Sequence, residues 1–150
     1  MQTARYTQAP EGKNISYYAQ ISDLQGRYGQ ANAAMMADPD QSGDPTEIAN
    51  RQQLALNVAD DWVNGFLRLS KYSHLVDTTG IVDSTTNEPP ELLTTAAVMY
   101  AGWWLSTSHG VRDYDKDNRP MNRYYADFQT AEQIMLRIQK IDTFKLNVEA

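Results

Sequence analysis

The chain has 150 residues, no cysteine, and 19 acidic against 13 basic side chains, for a formal net charge of −6. That length supports one domain with a sizeable core. The missing cysteines exclude disulfides, thiolate catalysis and cysteine-ligated zinc. The acidic balance, with no basic run anywhere, argues against a surface built to grip phosphates.

The opening Met-Gln-Thr-Ala-Arg-Tyr has no apolar run, so no secretory signal is expected. Such a protein is expected in the cytoplasm, or built into a particle there. Residues 1–15 contain Pro10, Gly12 and Asn14 and read as an extended arm. Ser22-Asp-Leu-Gln25 has a capping-box pattern and predicts a short helix with Leu24 and Tyr28 on one face. Gly29 is placed to end it, and a second helical stretch follows through Ala31, Ala34 and Met35. Residues 37–45 are a loop by composition.

Asp44-Pro-Thr-Glu47 supplies an N-cap, a proline at the first helical position and an acid at the third. The helix it starts is predicted to run to about Ser70. Leu54, Val58, Trp62 and Phe66 form one apolar row, and Ala55, Ala59, Val63 and Leu67 the next. Gln52, Gln53, Asn57, Asp60 and Asp61 fall largely opposite. Residues 71–88 form a long connection with a β-flavoured centre, Gly80-Ile-Val.

After Pro89-Pro90, residues 89–107 are apolar on nearly every side. Leu92, Ala96, Met99 and Trp103 form one row, and Leu93, Ala97, Tyr100 and Trp104 its neighbour. A helix of that kind is a buried central pillar, too short and too rich in Thr and Gly to span a bilayer. A charged loop at 108–119 follows. Pro120 opens a last helix, whose stripe of Met121, Tyr124, Tyr125, Phe128, Ala131, Met135 and Ile138 reaches about Ile141. In residues 142–150, Phe144, Leu146 and Val148 alternate with polar residues, a strand period with no other strand to join. The expected organisation is a 1–15 arm, an all-α bundle of about four helices over 16–141, and a 142–150 arm.

No convincing active site emerges. Asp38-x-Asp40-x-Ser42-Gly43 imitates the start of a calcium loop, but Ala49 stands where a bidentate Glu is required, so a self-capping turn is favoured. Glu88, Glu91, Asp60 and Asp61 are candidate magnesium ligands, as in all-helical nucleotide pyrophosphohydrolases. However, Asp60 and Asp61 are adjacent and cannot face one ion, and acids at a helix start are accounted for by its dipole. His74 and His109 have no partner at a catalytic spacing. Catalytic, cofactor and metal residues are therefore all expected to be none. What the chain offers is extended segments with no intramolecular role. Phe144, Leu146, Val148, Ile81, Val82 and Tyr114 are the candidate partner-binding residues, with strand addition onto a neighbour suiting the tail. One of Trp103 and Trp104 is expected to face outward.

Residues 18–29, Tyr-Ala-Gln-Ile-Ser-Asp-Leu-Gln-Gly-Arg-Tyr-Gly, resemble the opening of the Mu-like phage head–tail connector or adaptor family. The Asp/Gly-rich loop at 38–44, the helix end Val63-Asn-Gly-Phe-Leu67 and the Pro-Pro-x-Leu-Leu opening at 89–93 follow in the family's order. A final Tyr-x-x-Ala-type helix is matched loosely by Tyr125 to Ala131. The likeness covers about residues 18–141, with Asn64 for an Asp, Phe66 for a Tyr and a longer 71–88 connection. It implies an all-helical virion protein forming a homo-oligomeric ring, typically twelvefold, beneath the portal. DNA passes through the ring without specific binding, a downstream neck or tail protein is a second partner, and no membrane or catalytic residue is involved. A metal-dependent nucleotide hydrolase and a phage-encoded regulatory binding module are the alternatives from other functional classes.

Overall fold

The computed structural model describes residues 17–76, 81–83, 85–86, 88–107 and 122–140. They form a small all-helical bundle. Its elements are α1 (Ile21–Tyr28), α2 (Gln30–Met36), α3 (Pro45–Leu67), the single turn α4 (Ser73–Val76), α5 (Glu91–Thr107) and α6 (Asn122–Lys140). Five helices of about two turns or more thus stand where about four were expected, and the described residues contain no strand. None of these helices is long and apolar enough to cross a membrane.

α1 begins two residues earlier than its pattern predicts. Gln20 is the N-cap, and the Asp23 carboxylate accepts its backbone amide at 2.8 Å. The acid at the third helical position wins over Ser22 because it also meets the positive end of the helix dipole. Gly29, at φ 87°, ends α1 by donating to the Gln25 carbonyl, and its own carbonyl accepts from Ala33 in the next helix. α2 buries Ala33 and Met36, whereas Met35 is 64% exposed.

The 38–44 turn closes on itself. Asp38 accepts from the amides of Ser42 (2.9 Å) and Gly43 (3.0 Å) and from the Ser42 hydroxyl (3.2 Å). The Gly43 amide bond is the main reason its carboxyl is held below the usual range. Asp44 then caps α3 by accepting from the Thr46 amide at 3.0 Å. α3 stops at Leu67, short of Ser70, because the Ser70 hydroxyl takes the Leu67 carbonyl at 2.7 Å.

α5 is the central pillar and packs against α1, α2, α3 and α6. Pro89 and Pro90 are buried at its entry, and the Pro90 carbonyl accepts from Leu93 and Thr94. Ala96, Ala97, Ala101 and Gly102 are buried along it, and residues this small let neighbouring helices approach closely. α6 buries Tyr124, Asp127, Ala131, Ile134, Met135 and Ile138 at steps of three and four.

The 71–88 connection is less detached than its length suggests. Tyr72, Val76 and Ile81 are buried in the core. Further on, the Asp83 amide donates to the Glu88 carbonyl, and the Asp83 carboxylate accepts from the amides of Thr85 and Thr86. Among its described residues, these apolar side chains fasten the connection to the body.

Candidate functional site

Two buried carboxylates organise the bundle. Asp60, 8% exposed on α3, accepts the backbone amide of Tyr17 at 2.6 Å with one oxygen and that of Tyr18 at 3.1 Å with the other. The Tyr18 hydroxyl donates to Asn64 Oδ1 at 2.6 Å, and the Tyr18 carbonyl accepts from the Thr94 hydroxyl at 2.7 Å. All three hydrogen-bonding groups of one residue are therefore satisfied, two by α3 and one by α5. Burial pushes the Asp60 carboxyl up to about 7, against the opposing pull of its two amide donors. Burial also raises the Tyr17 and Tyr18 phenols.

Asp127, also 8% exposed, sits on the buried stripe of α6. Arg27 forks onto it with Nε at 3.0 Å and Nη2 at 2.8 Å, and the Tyr28 hydroxyl adds a third bond at 2.6 Å. Tyr28 lies against Gly102 so closely that a Cβ there would stand 2.5 Å from its ring and hydroxyl. Burial, then the bond to Asp127, raises the Tyr28 phenol. Asn32 on α2 joins the same region by donating to the Tyr124 hydroxyl at 2.8 Å. This clasp ties α1 to α6 across a hundred residues of chain. Its chemistry is structural: each acceptor is filled by a group of the same chain.

The outward chemistry is aromatic. Trp62 on α3 stacks on Tyr100 of α5 at 4.5 Å, and Trp103 of α5 stacks on Phe128 of α6 at 4.3 Å. Phe66 meets Trp62 edge-on at 5.1 Å, and Tyr125, 40% exposed, stacks beside Phe128 at 6.4 Å. The first four rings and Phe66 are half-buried. On α3 the row of Trp62 and Phe66 also carries Leu54 (51% exposed) and half-buried Val58, and Leu69, just past the helix end, is 74% exposed. The row 54/58/62/66 is thus the outer row of α3, and the row 55/59/63/67, with Leu56, is the inner one. Gln52 and Asp60, assigned by pattern to the solvent side, are inside.

Of the six candidate partner-binding residues, Ile81 is fully enclosed in the core, which corrects its reading as a contact for another chain. Val82 is half-buried and packed on that core. Tyr114, Phe144, Leu146 and Val148 lie outside the described residues, as do both terminal arms apart from the start of the body at Tyr17. Trp103 and Trp104 are both half-buried, so neither is simply inside. Asp60 is buried while Asp61 is exposed, so the two do not share a site. Among the described residues no three His, Cys, Asp or Glu side chains gather where they would hold a metal.

The two carboxylates were missed as organising residues, although a signal for each was present. Asp60 falls four residues after Leu56 and three before Val63, and Asp127 falls three after Tyr124 and four before Ala131. An acid in register with an apolar stripe requires buried partners. The motif residues of 18–29 now have physical roles: Tyr18 joins α3 and α5, Asp23 caps α1, Leu24 is core, Arg27 and Tyr28 hold Asp127, and Gly29 supplies the positive φ. Asn64 supplies the acceptor for the Tyr18 hydroxyl. No protein-family model, curated protein or solved structure matches the chain.

Proposed function

We propose that the protein is a structural virion subunit, a head–tail adaptor that assembles as a ring beneath a phage portal and joins the capsid to the tail around a DNA channel. The observation that carries this reading is the outer row of α3 with its aromatic continuation. α3 has two apolar rows, and its own bundle fully covers only one. A contiguous apolar surface of this kind is characteristic of a contact face, and aromatic side chains are enriched in such faces. The ordered likeness to the Mu-like adaptor family gives the face its context. Its motif residues are the ones that hold this bundle together, which supports a shared body. The net charge of −6 suits a channel wall that DNA slides past without phosphate pairs to break.

The test is assembly. The purified chain is mixed with its portal, and the products are weighed by native mass spectrometry and imaged. A ring seated on the portal is the expected result. Wild-type protein that stays monomeric with the portal, and is absent from particles, removes the reading.

A further inference from the structure

We draw no further inference here: the strongest candidate, the half-buried aromatic patch of Trp62, Phe66, Tyr100, Trp103 and Phe128 on the outer side of α3, α5 and α6, belongs to the contact face already described, and nothing in the structure shows what covers it.

Discussion

The Tyr18 hydroxyl donates to Asn64 Oδ1 at 2.6 Å, joining the segment before α1 to the last turns of α3 across 46 residues. One bond connects two sequence motifs that are separate in the chain. Tyr18→Phe is expected to cost about 1–2 kcal/mol, because it leaves a part-buried acceptor unfilled. Urea unfolding monitored by circular dichroism measures it. Asn64→Asp keeps an acceptor for that hydroxyl and is expected to cost less than Tyr18→Phe.

Asp60 sets a pH dependence of unusual sign. Its carboxyl lies at about 7 in the folded chain, above its ordinary value of 3.8. The folded state therefore holds a proton that the unfolded state has released, and the contribution to stability is present at low pH and lost as pH rises through about 7. Within that window the slope is about 1.4 kcal/mol per pH unit for one group. Stability from Asp60 is expected to fall between pH 5 and 7, and the Asp60→Asn curve to lack this component. Urea midpoints for both proteins at four pH values provide the comparison.

Gly102→Ala is expected to destabilise by about 2–3 kcal/mol, a typical penalty for overpacking. The new Cβ meets the Tyr28 ring at 2.5 Å, and Tyr28 is anchored at its far end by Asp127. Tyr28→Leu in the same chain is expected to relieve part of the clash. A double-mutant cycle tests this, with a coupling of at least about 1 kcal/mol expected for residues in contact. Strict additivity would show that the ring moves aside without resistance.

Asp127→Ala is expected to cost about 3 kcal/mol or more, since it strands the Tyr28 hydroxyl and breaks the fork from Arg27. Arg27→Met is expected to cost less, about 1 kcal/mol, because the guanidinium side is about a third exposed and solvent screens the pair. Thermal unfolding of the two variants gives the order.

Charge placed on the outer row separates folding from assembly. Leu54→Lys and Leu69→Lys are expected to change stability by less than about 0.5 kcal/mol, as at other exposed positions. Together they are expected to block ring formation on the portal. Removal of residues 142–150 is likewise expected to spare the helices, because the buried stripe of α6 among the described residues, from Tyr124 to Ile138, lies before them. Helical circular dichroism with sedimentation on the same samples reads both effects.

The sequence by itself determined that these helices form and where several of them start or stop. Asp44-Pro45 at the start of α3, the prolines before α5, Gly29 after α1 and the Asp38 turn act through bonds within a few residues, so local chemistry specifies them. It also determined that α5 is the pillar, because apolar residues surround it. Only the tertiary structure decided which of two equally apolar rows of α3 faces inward. That choice rests on what α5 and α6 present to it, with Trp62 against Tyr100 and Phe128 holding the second row at the rim. It also decided that Asp60 and Asp127 are buried and that Ile81 belongs to the core. The partners of the two acids lie about forty and a hundred residues away, and no local pattern specifies a contact at that distance.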